Sequence, residues 1–383
     1  MKHVSMPTAD AVIIGGGVIG CAAAYYLSTH GIRPLVLERG ALGAEASGAN
    51  AGVVSGSAGV PGLTLAHTRK SLALLAHDAE TLGRPVELVL EGRLTLALTR
   101  EDVASVEAFT ATRRAEGMDV RLLSGDDVRE FEPVLGPAVL AAAFTREDGH
   151  VNPFLLTHAY AAAARRNGAE IREGAEVSRL EISRDRVAGV VASGESIAAP
   201  LVIVAAGAWS AALLAPIGVA LPVRPGRGQM LATAALPPLT ARALRSPVIA
   251  VRQDVRGHVL IGSSVEYVGF DRAVTLDVLA DFSRIATSIV PALGDALIVR
   301  TWAGLRPMTP DGLPIIDWAP GVSGLLLATG HSQTGVTYAP VTGWLVTQLA
   351  ARATPELPLD PFRLARFAAA TRDVAVGSPA RTQ

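Results

Sequence analysis

The chain has 383 residues, of which 50% are hydrophobic and 18% are charged, and its formal net charge is −1. This balance is typical of a folded chain with room for two domains, and it excludes a long disordered tract. Because the charge is close to zero and forms no block of one sign, nucleic acid and anionic membranes are poor candidate partners.

The first motif is a buried strand followed by a glycine-rich turn. Residues 11–14 are an apolar run, as expected for a strand of a parallel sheet. Gly15, Gly17 and Gly20 then form a G-x-G-x-x-G pattern that leads into an Ala-rich helical stretch. In such turns the glycines allow a tight bend, close approach of a pyrophosphate and close helix packing. The helix N-terminus also offers N–H groups to the phosphates.

A second predicted strand, residues 35–37, ends at the acidic residue Glu38, 23 residues after Gly15. At this spacing a carboxylate accepts hydrogen bonds from the adenosine ribose, and its charge repels the 2′-phosphate of NADP. The order of strand, turn, helix, strand and acid predicts an adenine dinucleotide site, with FAD and NAD both left open.

The loop at residues 40–52 is rich in Gly and Ala, so it cannot build a core of its own. Ser47 and Asn50 can donate and accept hydrogen bonds, and their small neighbours leave room for a flat or anionic ligand. We expect this loop to lie against the dinucleotide.

Helical and strand-like segments alternate through the rest of the chain. We predict helices at residues 63–83, 101–116, 153–167, 275–289 and 339–351, the last with Pro340 in its first turn, and strands within 87–98, 177–182, 201–204 and 325–328. Residues 222–229 are predicted to form a stiff linker. No segment is predicted to span a membrane, no signal peptide is evident, and the cytoplasm is the expected location.

These elements predict an α/β fold with two interleaved parts. The first is a Rossmann-type, doubly wound dinucleotide-binding sheet assembled from the discontinuous residues 1–85, 146–222 and 309–383. The second is a β-rich α+β substrate domain built from residues 86–145 and 223–308. The only cysteine, Cys21, cannot form an intramolecular disulfide, and no cysteine–histidine cluster suggests a metal site, so none is predicted.

Short motifs in a fixed order extend this pattern over nearly the whole chain. Besides the glycine turn with Glu38, they are found at residues 47–52, 148–153, 205–210, 225–229, 305–312 and 330–337. Together they resemble the FAD-dependent amine oxidoreductases of the D-amino-acid oxidase superfamily, near its glycine oxidase, hydrogen cyanide synthase and bacterial D-amino acid dehydrogenase members. The resemblance favours FAD over NAD as the cofactor.

The resemblance also implies which residues hold the cofactor. The expected FAD-binding residues are Gly15, Gly17, Val18, Ile19, Gly20, Glu38, Arg39, Ser47, Asn50, Ala51, Gly52, Val177, Ala206, Gly207, Trp209, Gly304, Arg306, Gly330, His331, Gly335, Val336 and Thr337. Non-covalent binding is expected, because the chain has no cysteine beyond Cys21 to form a tether. A helix N-terminus preceded by glycines suits the negative charge that develops near N1 and C2=O of reduced flavin.

Arg306 and His331 are the expected catalytic residues. In similar amino acid oxidases the arginine of the Leu-Arg-Pro motif binds the substrate carboxylate, and a guanidinium can do so with two parallel hydrogen bonds. Arg252 and Tyr267 are weaker candidates. The sequence has no tyrosine near Ile249, where glycine oxidase places a substrate-contacting one, which leaves room for a substrate larger than glycine.

The expected reaction is oxidation of the C–N bond of a small amino acid: a D-amino acid, glycine or an N-substituted glycine. Hydride transfer to flavin N5 gives an imine that hydrolyses to an oxo acid. Oxygen, a quinone or a protein would accept the electrons. One alternative is an acceptor-linked dehydrogenase subunit acting on opines or D-hydroxyproline, with a partner subunit or as a homo-oligomer. Another is a non-catalytic flavin-binding redox partner.

Overall fold

The computed structural model describes residues 9–368. The outermost parts of the predicted domain segments, residues 1–8 and 369–383, lie outside that range. The strands are β1 Ala11–Ile14, β2 Pro34–Leu37, β3 Val53–Val54, β4 Arg93–Ala97, β5 Val120–Ser124, β6 Ala141–Thr145, β7 Gly149–His150, β8 Glu170–Arg172, β9 Val177–Ser183, β10 Arg186–Ala192, β11 Glu195–Ala198, β12 Val202–Val204, β13 Arg224–Thr233, β14 Ala243–Arg245, β15 Ala250–Gln253, β16 Val259–Gly262, β17 Ile298–Met308, β18 Ile315–Trp318 and β19 Leu325–Thr329. The α-helices are α1 Val18–Thr29, α2 Leu65–Thr81, α3 Arg100–Ala115, α4 Asp127–Phe131, α5 Pro153–Arg166, α6 Ser210–Leu214, α7 Leu276–Ile289 and α8 Gly335–Ala350.

The α/β fold class is confirmed by a six-stranded sheet in the order β18-β19-β12-β1-β2-β8. Only β18 runs antiparallel to its neighbour; the other pairs are parallel. Alternate residues of the central strands point to opposite faces, and both faces are buried. Ile13 packs with the helical side chains Leu27 and Val341, whereas Val12 packs with Leu180 and Val190 of the three-stranded sheet β11-β10-β9.

A second, eight-stranded sheet has the order β17-β13-β16-β15-β14-β4-β6-β5. One of its faces buries Leu94, Leu231 and Leu244 against Phe282 and Ala286 of α7. The strands of this sheet all lie within residues 93–145 and 224–308, whereas those of the six-stranded sheet lie within 11–37, 170–204 and 315–329. We therefore retain the predicted two-part division as a proposal.

Two local predictions are wrong. Residues 222–229 are not a linker, because most of them belong to β13, which pairs antiparallel with β17 along nearly its whole length. The last helix begins at Gly335 rather than Ala339, so Pro340 lies in its second turn and not its first. Proline lacks an N–H group, so the carbonyl of Val336 loses the helical hydrogen bond that residue 340 would otherwise donate.

None of the helices in the described part of the chain is both long enough and apolar enough to cross a membrane. Residues 11–27 and 201–223 contain no charged side chain, and such stretches can form membrane-spanning helices. In the structure the first is divided between β1 and α1, and the second contains β12 and α6.

Candidate cofactor and substrate site

A cavity of about 390 Å³ opens at the carboxyl ends of β1, β2, β12 and β19. The ends of parallel strands are the usual ligand position in open α/β sheets, because loops of adjacent strands diverge there. The structure brings these predicted site residues together in the cavity wall: Gly15, Gly17, Val18, Ile19, Glu38, Arg39, Ser47, Asn50, Val177, Ala206, Gly207, Trp209, Arg306, His331, Gly335 and Val336.

The glycine turn has the close packing that its sequence predicts. Gly15 has φ of 110°, and a Cβ there would lie 2.5 Å from the carbonyl oxygen of Ala205 at the end of β12. A Cβ at Gly20 would overlap the carbonyl oxygen of Gly15. At Gly17, by contrast, an added Cβ would meet only the Ser47 hydroxyl, at 3.0 Å. Gly15 and Gly20 therefore serve backbone packing, whereas Gly17 leaves open space toward the cavity.

Glu38 lies where a ribose-binding acid is expected, and it is already ordered by backbone donors. Its Oε2 accepts a hydrogen bond from the N–H of Gly16 at 2.7 Å, and Oε1 accepts one from Gly40 at 2.8 Å. These bonds fix the carboxylate between the glycine turn and the end of β2. A further acceptor direction on each oxygen remains for a ligand hydroxyl.

Arg39 and Trp209 form an aromatic and cationic wall on the same side of the cavity. The Arg39 guanidinium carbon lies 3.7 Å from the centre of the Trp209 ring. Arg39 also pairs with Glu45 at 2.8 Å, and Glu45 pairs with Arg272 at 3.1 Å. The stacked pair offers a flat surface, and the carboxylate of Glu45 keeps the Arg39 side chain in place.

Ser47 and Asn50 tie the small-residue loop to its surroundings. The Ser47 hydroxyl accepts a hydrogen bond from the N–H of Val18 at 2.9 Å, in the first turn of α1. Asn50 donates to the carbonyl of Ala46 at 3.0 Å and accepts from Gly52 at 2.7 Å. The loop is therefore held against the glycine turn, as its composition predicts.

Arg306 is a partly buried cation that has no counter-ion within the described part of the chain. It donates through Nη1 to the Ser264 carbonyl at 2.7 Å and through Nη2 to the Ser263 hydroxyl. Within residues 9–368 it forms no ion pair with a carboxylate. Burial, and to a lesser extent the positive charge of Arg245, lower the pKa of Arg306 to about 10. An incoming carboxylate would therefore be bound strongly, because it supplies the missing negative charge.

His331 follows β19 and is neutral in its surroundings. Its ring is buried, and Nε2 lies 3.0 Å from the Thr342 hydroxyl. Burial lowers the pKa of His331 to about 3. The loop that carries His331 is fixed to the end of β17, because the N–H of Ser332 donates to the carbonyl of Pro307 at 2.9 Å. His331 thus lines the same cavity as Arg306 as a neutral group, and it is too weakly basic to take up protons at neutral pH, while its contact with a ligand stays a prediction.

Six predicted cofactor residues do not line the cavity but support its wall: Gly20, Ala51, Gly52, Gly304, Gly330 and Thr337. A Cβ at Gly304 would lie 2.5 Å from Ala49, and one at Gly330 would lie 2.6 Å from Thr309. The Thr337 hydroxyl accepts a hydrogen bond from the N–H of Ser55 at 3.2 Å. Their involvement in binding stays a prediction, and so does that of the residues in the wall.

The weaker candidates Arg252 and Tyr267 have different surroundings. Arg252 is buried and donates to the carbonyl of Ala51, with its Nη1 lying 3.4 Å from Nδ1 of His150. Tyr267 is half exposed, and the Arg224 guanidinium carbon lies 3.8 Å from the centre of its ring.

Sequence reasoning missed residues of the cavity wall that flank the predicted ones. They are Ile14, Leu37, Glu45, Ala46, Val53, Glu176, Ser178, Ala205, Ala208, Ala212, Leu213, Leu305, Pro307, Ala328, Thr329, Ser332 and Gln333. The strand-terminal members could have been found from the rule that ligands bind at the carboxyl ends of parallel strands. Ala212 and Leu213 carry no such signal, because they reach the cavity only through the tertiary position of α6.

Comparison with known proteins decides the family. Residues 10–349 match the family described as FAD dependent oxidoreductase. The chain belongs to that family of FAD-dependent oxidoreductases. It is therefore an enzyme, and the family assignment, the cofactor and the oxidoreductase class expected from the sequence are confirmed.

Individual relatives match along almost their full length. Glycine oxidase of Geobacillus kaustophilus is 34% identical over 368 residues, covering 93% of this chain and 97% of the relative. The hydrogen cyanide synthase subunit HcnC of Pseudomonas aeruginosa is 32% identical, covering 97% of this chain and 99% of the relative. An opine oxidase subunit of Agrobacterium tumefaciens is 32% identical, covering 94% and 97%.

Solved structures agree with the fold. Glycine oxidase from Geobacillus kaustophilus has a TM-score of 0.90 at 31% identity, covering 94% of this chain and 99% of that chain. L-proline dehydrogenase from P. horikoshii has a TM-score of 0.88 at 26% identity, covering 94% and 99%. Iminodiacetate oxidase from Chelativorans sp. BNC1 has a TM-score of 0.83 at 26% identity, covering 92% and 98%.

The residues of the cavity fit FAD. The N-termini of α1 and α8 both border the cavity, and neither has a side-chain cap from its N-cap residue. Ser47 accepts from the N–H of Val18, so the N–H groups that follow Val18 in α1 and the first ones of α8 would bind anionic parts of FAD. The open space at Gly17 would admit a pyrophosphate, and the fixed carboxylate of Glu38 would accept hydrogen bonds from a ribose. Cys21 is fully buried behind the turn, and burial raises its pKa to about 12, which keeps the thiol protonated. Non-covalent binding of FAD stays a prediction.

Proposed function

We propose that this enzyme oxidises the C–N bond of a small amino acid or N-substituted amino acid. The observation that carries the proposal is Arg306, a partly buried guanidinium without a carboxylate partner in the described chain, in the wall of the cavity. A buried unpaired cation is costly, and a substrate carboxylate would compensate its charge. A substrate without a carboxylate would leave that cost in place.

The chain's own residues would orient the substrate. Arg306 would bind its carboxylate through the two terminal nitrogens, which fixes the α-carbon relative to the cavity as well as holding the charge. The first N–H groups of α8, at Gly335 and Val336, would stabilise negative charge on the ring system beside them. His331 would pack against the ligand as a neutral ring and would neither take up nor release a proton near pH 7.

When bound, FAD supplies the two-electron acceptor for the hydride that leaves the α-carbon. The nitrogen loses one proton, and water then hydrolyses the C=N bond to a carbonyl group and a free amine. The electron acceptor that reoxidises the enzyme would be oxygen, a quinone or a protein. HcnC and the opine oxidase relative are each named as one subunit of a larger enzyme, which supports a partner protein as an alternative to a self-contained oxidase. The cytoplasmic location stays a prediction.

The experiment is anaerobic flavin bleaching of the purified, FAD-loaded protein. Glycine, sarcosine, D-alanine, D-proline and an opine are each mixed with the enzyme, and flavin absorbance is recorded before and after air is admitted. We expect bleaching by at least one carboxylate-bearing amine but not by its decarboxylated analogue, for example by sarcosine and not by dimethylamine. Rapid recovery in air with peroxide would identify an oxidase, whereas persistent bleaching would identify an acceptor-linked dehydrogenase. No bleaching by any amine would overturn the proposal.

A further inference from the structure

Four arginines project from one face of the eight-stranded sheet: Arg93, Arg245, Arg252 and Arg306. In antiparallel pairs, directly opposed residues point to the same face. Arg245 is opposite Ala250, Ala250 opposite Gly262, Gly262 opposite Met230 and Met230 opposite Trp302. Arg306 follows Trp302 by four residues in the same strand, so it shares that face.

The alternation along the strands confirms this assignment. Leu244, Val251, Ile261 and Leu231 are the sequence neighbours of the residues in that row, and all four pack into the apolar core around α7 on the opposite face. Arg245 therefore points away from that core.

The arginine face is turned toward the FAD-binding part. Trp302 Nε1 donates a hydrogen bond to the carbonyl of Ala49 at 2.9 Å, and Gly304 packs against the same residue. Arg252 donates to the carbonyl of Ala51 in the same loop. Side chains on this face thus meet the small-residue loop at the cavity.

Three of the four guanidinium groups are already engaged. Arg93 pairs with the buried Asp148 at 3.0 Å, and Asp148 also accepts hydrogen bonds from the hydroxyls of Ser55 and Ser57. Arg252 is bound to Ala51, and Arg306 is bound to Ser263 and Ser264.

Arg245 is the exception. Within residues 9–368 its side chain has neither a hydrogen bond nor an ion pair, although it is only partly exposed. Burial, and secondarily the charge of Arg93, lower its pKa. A partly buried cation of this kind would be stabilised by an anion, and none of the described residues supplies one.

Arg245 lies near the end of the Arg306 side chain, although of the two only Arg306 lines the cavity wall. Arg306 ends at Ser263 and Ser264, which directly follow β16, and Arg245 lies on β14, two strands away. Two strand spacings are about 10 Å, and the long side chain of Arg245 can shorten this distance. The charge of Arg245 also contributes to the lowered pKa of Arg306. One small dianionic molecule can therefore reach both groups.

We propose that Arg245 binds a second anionic group of the substrate, so that this enzyme prefers amino acids with an additional carboxylate. The inference rests on the proposed function, in which Arg306 holds the first carboxylate. The second carboxylate can be carried on the nitrogen substituent or on the α-carbon side chain. In the first case the second carboxylate lies across the nitrogen from the first, and in the second case it lies across the α-carbon.

The test compares matched substrates that differ in one carboxylate. Iminodiacetate is compared with sarcosine for the nitrogen position, and D-aspartate with D-alanine for the side-chain position. For each compound the dissociation constant is measured anaerobically from the absorbance change of the bound flavin, and the rate of flavin reduction is measured in the same mixing experiment. We expect at least one dicarboxylate to bind about tenfold or more tightly than its partner. The pair that shows the preference identifies which position carries the second carboxylate.

Variants assign the preference to Arg245. In Arg245→Met the ratio of affinities within the preferred pair should fall about tenfold or more, and Arg245→Lys should restore part of it. Arg284→Met removes the same charge from the exposed face of α7 and should leave the ratio unchanged. FAD content and thermal unfolding of each variant show whether it is folded.

Failure of the Arg245 inference can be distinguished from failure of the proposed function. If sarcosine or D-alanine reduces the flavin but no dicarboxylate is preferred, or if Arg245→Met keeps the preference, this inference is overturned and the proposed function stands. If a dicarboxylate binds in an Arg245-dependent way but no amine reduces the flavin, the second anion site stands and the proposed reaction does not.

Discussion

The guanidinium of Arg306 lies over Gly228 of the adjacent strand, and a Cβ at position 228 would overlap its nitrogens. Gly228 is paired with Gly304, so the two glycines leave the space through which Arg306 reaches Ser263. The absence of a side chain at Gly228 is thus what allows Arg306 to take the position proposed for substrate binding.

Gly228→Ala should therefore displace Arg306 without unfolding the protein. The atoms that must move are the end of a flexible side chain, and alanine is tolerated in strands. We expect KM for the amino acid substrate to rise about tenfold or more, with little change in the midpoint of thermal unfolding. A lower unfolding midpoint with unchanged KM would show that Gly228 serves packing alone.

Arg306→Ala should weaken substrate binding by about 2–5 kcal/mol, because it leaves a carboxylate without its partner in a largely desolvated site. Arg306→Lys keeps the charge but not the planar pair of donors, and we expect it to recover only part of the loss. Anaerobic titration of flavin absorbance measures both affinities. Equal affinity in the parent and in Arg306→Ala would show that the carboxylate binds elsewhere.

Two glycines of the turn are expected to have different roles, Gly20 in folding and Gly17 in cofactor binding. Gly20→Ala should destabilise the whole protein, because the new Cβ overlaps the backbone oxygen of Gly15. Gly17→Ala should leave the midpoint of unfolding of the FAD-free protein nearly unchanged and weaken FAD binding, since its Cβ projects toward the cavity. Thermal unfolding without FAD and fluorescence titration with FAD measure the two effects. The same loss of stability in both variants would contradict this division.

His331 should make the protein less stable in acid. Burial lowers its pKa from 6.5 to about 3, so between these values the unfolded chain holds a proton that the folded chain lacks. Stability is therefore unaffected above pH 6.5 and falls as the pH is lowered through that window, by about 2 kcal/mol at pH 5.

In His331→Gln the loss of unfolding free energy between pH 7.5 and pH 5 should be smaller by about 2 kcal/mol, as measured by urea denaturation. His150, whose pKa burial lowers to about 4, keeps its own contribution in this variant, so the comparison isolates His331. An identical pH dependence in parent and variant would show that the ring is accessible to protons in the folded state.

The cofactor half of the site could be predicted from sequence because its signals are local. The order of β1, the glycine turn, α1 and β2 is contained in residues 11–37, and the acid at Glu38 follows at once. The errors occurred where tertiary packing outweighs local preference. Residues of β13 such as Pro225 and Gly226 are poor strand formers, yet the strand forms because β17 pairs with it along its length.

The substrate half could be predicted only in part. The Leu-Arg-Pro motif pointed to Arg306, but nothing near Arg245 in the sequence distinguishes it from the chain's many surface arginines. The proposed role of Arg245 follows from the register of five strands, which places Arg245 on the same face of the sheet as Arg306. Such lateral relationships join residues that are far apart in the chain, and no local pattern encodes them.

The pairing of the six-stranded sheet has a consequence for how the protein is made. Ile13 pairs with Ile203, and Ile203 pairs with Leu326, so the centre of the sheet joins the start, middle and end of the described chain. During synthesis β1 can pair early with β2, but its other edge must wait until β12 has left the ribosome. The cavity wall lacks Gly335 and Val336 until most of the described chain has emerged. We therefore expect cofactor capture to be a late event in biogenesis, and a nascent chain arrested before β19 should bind no flavin.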